Sequence, residues 1–133
     1  MMLNKIQSVY LILNGVLFLG LGVAYLGWPA KLAGKTDMVL TTDTATIEIR
    51  AIYGGMEVAL GLLLVVCALR HNWAFPALIL TIVLYAGFAG GRIYGIIAAS
   101  NPGVFTWKLL AFEVTALAAG CVLAVLKTLG SKG

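Results

Sequence analysis

The sequence predicts an all-α integral membrane protein, a four-helix bundle that runs up, down, up and down across the bilayer. Hydrophobic residues make up 62% of its 133 residues and charged residues only 11%, whereas a soluble domain carries about 25% charged residues. Four long apolar runs account for most of the chain. They leave room for a single transmembrane domain, residues 1–133, and for no soluble catalytic domain.

Each apolar run is long enough to cross a membrane. The runs cover residues 6–27, 47–69, 74–99 and 104–126, and about 20 residues suffice at 1.5 Å per residue. Because lipid offers no hydrogen bonds to the backbone, each span must be helical. We expect Trp28-Pro29 to end the first helix, Asn72 to cap the third, and Asn101-Pro102-Gly103 to form the turn before the fourth.

The lengths of the connections predict which helices are neighbours. Only the connection over residues 30–46 is long, and we expect its Thr-rich end to form an irregular cap over the outer face of the bundle. The other two connections have about four residues, so the second, third and fourth helices should be antiparallel neighbours.

Small residues recur at every fourth position on two of the spans. They are Gly87, Gly91 and Gly95 on the third span and Ala116, Gly120 and Ala124 on the fourth. Stripes of small residues let helix backbones approach closely in lipid. Both stripes are therefore predicted to face a neighbouring helix, in the same chain or in a second copy.

Ionisable side chains inside the spans are the strongest functional signal in the sequence. Glu57 lies near the middle of the second span, Arg92 in the outer half of the third, and Glu113 about nine residues into the fourth. Arg50 and Lys108 lie near outer helix ends. An unpaired charge at a helix centre costs about 2.5–3.5 kcal/mol, so we expect Arg92 to lie between Glu57 and Glu113, with Arg50 or Lys108 balancing the second carboxylate.

These residues define the predicted site. It is a polar cluster or ligand-binding pocket that opens outward, formed by Arg50, Tyr53, Glu57, Arg92, Lys108 and Glu113. Arg50, Tyr53, Gly54 and Glu57 share one helix face through their spacing. Such a cluster can bind an anionic or amphiphilic group, or it can be an ion-pair network that only sets helix register. The residues alone leave both readings open.

The sequence indicates no cofactor and no metal site. His71 is the only histidine, Cys67 and Cys121 do not form a C-x-x-C motif, and the carboxylates lack the E-x-x-H pairs of a di-iron site. The net charge of +4 is spread over several segments, so nucleic acid is not an expected partner. Expected partners are membrane lipid, a small amphiphilic ligand, and a second copy or another membrane protein.

Three motifs together resemble a bacterial family of small four-helix membrane proteins, a domain of unknown function allied to the DoxX-like group. They are E-I-R-A-I-Y-G-G at residues 48–55, G-R-I-Y-G at residues 91–95, and Phe112-Glu113. The resemblance covers nearly the whole chain. It implies four helices in the bacterial inner (plasma) membrane and sometimes a partnership with redox enzymes, and it supplies no established catalytic residues.

A second resemblance is to the MAPEG family of trimeric four-helix enzymes that use glutathione. Arg50-Ala51 followed by Glu57, with Arg92 in the third span, is similar to the R-A-x-x-N-x-x-E motif and later Arg of that family. Gly54 stands where the motif has Asn, and Ala99 stands where a Tyr is expected.

Three functions remain as hypotheses. The first is a non-catalytic protein that binds a lipid, a quinone-like or another amphiphilic ligand, or that acts as an accessory subunit. The second is a glutathione-dependent membrane enzyme, which the lack of a nucleophile–base pair or metal set disfavours. The third is a small proton-coupled transporter. Transporters of that size usually carry their carboxylate in the first helix, and this first helix has none.

The lysine and arginine distribution predicts that both termini are cytoplasmic and that residues 30–46 lie outside. The side of the termini holds Lys5, Arg70, Lys127 and Lys132. In a background with both native cysteines replaced by alanine, Thr42→Cys should react with a membrane-impermeant maleimide in intact cells. Labelling only after permeabilisation would contradict this topology.

Overall fold

The computed structural model describes residues 2–99 and 101–130, apart from the side chain of His71. In this part of the chain all regular structure is helical. The helices are α1 (Met2–Gly27), the short α2 (Pro29–Ala33), α3 (Asp43–Leu69), α4 (His71–Ala98) and α5 (Val104–Gly130). Four of them are long and apolar enough to cross a membrane, which confirms the all-α four-helix bundle.

The four long helices alternate in direction along the chain. The most extensive contacts join α1 to α3 and α4 to α5, and α3 also packs on α4, so the predicted neighbours are found. We call the end that holds the described chain ends and the α3–α4 connection the termini end. The opposite end, with α2 and the α4–α5 connection, is the cap end.

Two pairs of glycines bring α1 and α3 into backbone contact. Gly15 lies against Gly61 and Gly22 against Gly54, and all four are buried. A Cβ atom built on Gly22 would lie 2.7 Å from the Val58 backbone nitrogen and 2.8 Å from the Gly54 carbonyl oxygen. Such distances leave no room for any side chain, so these glycines set the separation of the two helices.

A buried hydrogen-bond chain joins α4, α1 and α5 across the centre of the bundle. The Tyr85 hydroxyl donates to Asn14 Oδ1 at 2.5 Å, and Asn14 Nδ2 donates to the Tyr10 carbonyl at 2.8 Å. The Tyr10 hydroxyl in turn donates to the Ala116 carbonyl at 2.8 Å. These polar atoms satisfy one another where lipid would offer them no partner.

Several helix ends differ from the sequence prediction. The connection before α3 is more ordered than an irregular cap, because it contains α2, and Thr42 caps α3 by accepting a hydrogen bond from the Ala45 backbone at 3.1 Å. Asn72 lies within the first turn of α4, and Arg70 is the capping residue. Polar residues at helix ends carry no apolar signal, so the spans were predicted too short.

The two stripes of small residues have different surroundings. Gly120 on α5 faces Ile82 and the Tyr10 ring, as predicted. Gly87, Gly91 and Gly95 on α4 are exposed, and no atom of the described chain lies within 4 Å of a Cβ built on any of them. The stripe therefore faces no other helix of the described chain, because Ala77, Thr81, Tyr85 and Ala89 form the inward face of α4 instead. The alternative, that it faces a second copy, stays a prediction.

The glycine pairs make a specific stability prediction. Gly22→Ala should lower the free energy of unfolding by about 1–3 kcal/mol, because its methyl group would push α1 and α3 apart. Gly20→Ala is the matched control on the same helix, since a Cβ there has no described atom within 4 Å; alanine should leave stability unchanged or raise it by about 0.5–1 kcal/mol. Unfolding in mixed detergent micelles measures both. Equal effects of the two substitutions would refute the close-packing role.

Candidate functional site

The expected ion pair forms between Arg92 on α4 and Glu113 on α5. Arg92 Nε donates to Glu113 Oε2 at 2.9 Å and Arg92 Nη2 donates to Oε1 at 2.7 Å. This two-pronged geometry is the strongest arrangement available to a guanidinium and a carboxylate. Glu113 is only 6% exposed, so the pair neutralises a buried carboxylate between two helices.

Glu57 is not part of that ion pair. Its side chain is half-buried on α3, and its Oε2 atom is buried without a hydrogen-bond partner among the described residues. The expectation that Arg92 lies between two carboxylates is therefore wrong, because both prongs of the guanidinium point to Glu113. The phenols of Tyr25 and Tyr85 lie near Glu57.

Arg50 and Lys108 do not balance the second carboxylate either. Arg50 Nε donates to the Leu26 carbonyl at 3.1 Å, so this exposed side chain satisfies the C-terminal end of α1. Lys108 is exposed and has no ion pair within the described part of the chain. Sequence spacing did not determine the direction of these side chains.

The R-A-I-Y-G-G motif forms a wide helical turn immediately before Glu57. Residues Arg50–Gly55 are π-helical, and the Met56 backbone N–H donates to the Ala51 carbonyl five residues earlier. Short π-helical insertions are rare in α-helices and frequently occur at functional sites. Here the insertion changes the face on which Glu57 emerges relative to Arg50, so uniform helical spacing across the motif does not hold.

Tyr25 and Tyr85, which the sequence analysis did not assign to the site, lie near its carboxylates. Tyr25 on α1 is 9% exposed and packs on Tyr53 with ring centroids 5.3 Å apart. Tyr85 packs against Phe112 with centroids 5.9 Å apart. We call Glu57, Arg92 and Glu113, with Tyr25, Tyr53 and Tyr85, the polar layer. Tyrosines in apolar spans were a usable signal, because a buried hydroxyl needs a polar neighbour.

The close approach of α1 and α3 leaves no room at Gly54 for the asparagine of the MAPEG motif. A Cβ on Gly54 would lie 2.7 Å from Leu26 Cδ2 and 3.3 Å from the Leu26 backbone nitrogen. An asparagine side chain would require the two helices to separate. The polar group that the motif supplies at this position therefore has no place in this packing.

The three charged groups of the polar layer differ in whether the described chain supplies them with a partner. Arg92 and Glu113 neutralise each other's charge, whereas Glu57 retains a buried oxygen without a partner in the described chain. Across the described residues, no three His, Cys, Asp or Glu side chains converge as metal ligands would. The layer thus leaves one buried polar atom, Glu57 Oε2, without a partner among the described residues.

Comparison with known proteins places the chain in a family. Residues 6–125 match the family model named Domain of unknown function (DUF4345). No curated protein and no solved structure gives a significant match. The match spans all four long helices, including the wide turn at residues 50–55 and the polar layer. The chain is therefore a member of the DUF4345 family of domains of unknown function.

Proposed function

We propose that this protein binds an amphiphile whose polar head donates a hydrogen bond to Glu57. The observation that carries the proposal is the buried Glu57 Oε2 atom, which has no partner among the described residues. A buried acceptor without a partner costs about 1–3 kcal/mol. A bound ligand that supplies a donor would recover that free energy, which gives it affinity at this position.

The pairing of Arg92 with Glu113 limits which head groups the site can bind. Both prongs of its guanidinium are engaged by Glu113, so the layer holds no free buried cation for an anion. A hydroxyl, an amine or a quinol fits Glu57, whereas a carboxylate or phosphate would be repelled by it. The ligand is therefore an uncharged or cationic amphiphile, within the lipid and quinone-like classes.

The surface beside Glu57 offers a place for the apolar tail. Ile52 is 47% exposed, Met56 is 48% exposed and Tyr53 is 38% exposed, and all three belong to or follow the wide turn. These side chains face outward from the bundle in its cap half. An amphiphile can reach Glu57 sideways from the bilayer, with its tail among lipid chains and these residues.

The proposal sets the protein in the bacterial inner membrane with cytoplasmic termini. The lysine and arginine bias supports this orientation, and it puts Glu57 in the outer half of the membrane. The resemblance to the DoxX-like group supports a role as an accessory subunit beside a redox enzyme. A quinol is the head group that would connect such a role to Glu57.

Substitution of Glu57 tests the binding site. In nanodiscs, decylamine, decanol and decylubiquinol should each raise the thermal unfolding temperature saturably, and decanoate should not. Glu57→Leu should weaken binding of all three at least fivefold, because it removes the acceptor. Glu57→Gln should weaken decylamine most, since it keeps an acceptor oxygen but loses the charge. Glu48→Leu, an exposed change on the same helix, is the control. Equal binding to wild type and Glu57→Leu would overturn the proposal.

The Arg92–Glu113 pair should behave as a structural unit. Glu113→Gln or Arg92→Met alone should lower the free energy of unfolding by about 3–5 kcal/mol, and the double substitution should cost less than either. Glu113→Gln should be the worse single change, because a stranded guanidinium cannot lose its charge whereas a stranded carboxylate can take up a proton.

Unfolding titrations in micelles measure these costs, and the double substitution Glu48→Gln with Lys108→Met is the matched control because both residues are exposed. The Arg92→Met, Glu113→Gln protein should still bind the donor amphiphiles. Additive costs of the two single substitutions would contradict the pairing, and loss of binding would assign the ligand to the pair.

A further inference from the structure

A polar cavity of about 130 Å³ lies at the termini end, opposite the polar layer. It is bounded by the first turns of α1, the start of α4 and the last turns of α5. Its lining consists of Asn4, Gln7, Ser8, Asn72, Ala74, Phe75 and Lys127. A water molecule occupies about 30 Å³ of the liquid, so the cavity has room for a tetrahedral oxyanion.

The unpartnered amide of Gln7 indicates that this cavity is a binding site. Its side chain is only 3% exposed, and its Nε2 atom is buried with no hydrogen-bond partner in the described chain. A primary amide can donate two hydrogen bonds, and burying it unpaired costs about 1–3 kcal/mol. The cavity that Gln7 lines is the place from which an acceptor could reach it.

The electrostatics of the cavity favour an anion. Lys127 lines it and donates to Asn4 Oδ1, and no Asp or Glu is among the lining residues. The N-terminal turns of α1 and α4 both border it, and the positive ends of these two helix dipoles attract negative charge. The C-terminal carbonyls of α5 also end here, and Lys127 in its last turn offsets them.

The acidic residues of the chain lie away from this cavity, whereas basic residues lie near it. The five acidic residues of the sequence lie on the cap-end connection, at the start of α3, or in the polar layer. Lys5, Arg70 and Lys127 lie at the termini end. An anion entering this cavity meets cations and amide donors, and no carboxylate of the described chain opposes it.

We infer that the cavity binds a phosphate group through Gln7 Nε2 and Lys127 Nζ. An ammonium and a buried amide meet at this cavity, and the tetrahedrally arranged oxygens of a phosphate can accept from both at once. The phosphate can belong to a lipid headgroup at the membrane surface or be a free ion. The site is distinct from Glu57, which accepts rather than donates.

Two arms of one experiment separate these sources. In the first, the purified protein in an uncharged detergent is titrated with inorganic phosphate against chloride at equal ionic strength. In the second, phosphatidylglycerol is titrated into the micelles, with a diacylglycerol of the same chains as the phosphate-free comparison. Thermal unfolding reports binding in both arms. Saturable stabilisation by phosphate identifies a free-ion site, and stabilisation by phosphatidylglycerol alone identifies a headgroup site.

Variants assign the effect to the cavity. Gln7→Met and Lys127→Met should each weaken the stabilisation at least fivefold. Arg70→Met removes the same charge at the same end, but Arg70 packs over Trp73 rather than lining the cavity, so it should change the affinity less than twofold. Each variant is first unfolded without ligand, to confirm that it folds. No stabilisation in either arm, or an equal loss in Arg70→Met and Lys127→Met, would overturn the inference.

Discussion

The absence of water in the hydrocarbon governs this structure, because every polar atom placed there needs a partner from the protein. Most buried polar groups comply. Asn14 and Tyr85 bond each other, and Arg92 and Glu113 form a two-pronged ion pair. Against this background the two exceptions in the described chain, Gln7 Nε2 and Glu57 Oε2, are informative. They lie in opposite halves of the bundle, and one is a donor whereas the other is an acceptor.

The backbone contact between α1 and α3 includes the wide turn before Glu57. Gly22 meets Gly54 inside that turn, and Gly15 meets Gly61 about two helical turns further along. The two contact glycines of each helix are seven residues apart, which keeps both on the same side of that helix. The π-helical segment lets Gly54 face α1 while Arg50 reaches the Leu26 carbonyl. Packing and site geometry thus depend on the same six residues.

Sequence reasoning predicted well which charged residues lie at the same level of the bundle. It predicted poorly the direction in which their side chains point. The helices, their order and the Arg92–Glu113 pair followed from apolar length and from matching charges at equal depth. The solitary state of Glu57 did not follow, because a π-helical insertion changes the face of α3 and an apolar run carries no sign of it. The glycines of α1 and α3 were readable as a seven-residue repeat, whereas the four-residue stripe on α4 proved to face outward.

The chemistry of the two unpartnered atoms also argues against a purely structural reading of the bundle. A structural network should satisfy its own members, as Arg92 and Glu113 do, because a half-satisfied buried network is less stable than an apolar core. Replacing Glu57 or Gln7 by an apolar residue of similar size would remove an unpaired polar atom from each half. That the sequence carries polar groups at both positions is consistent with partners from outside the chain, a donor at Glu57 and an acceptor at Gln7.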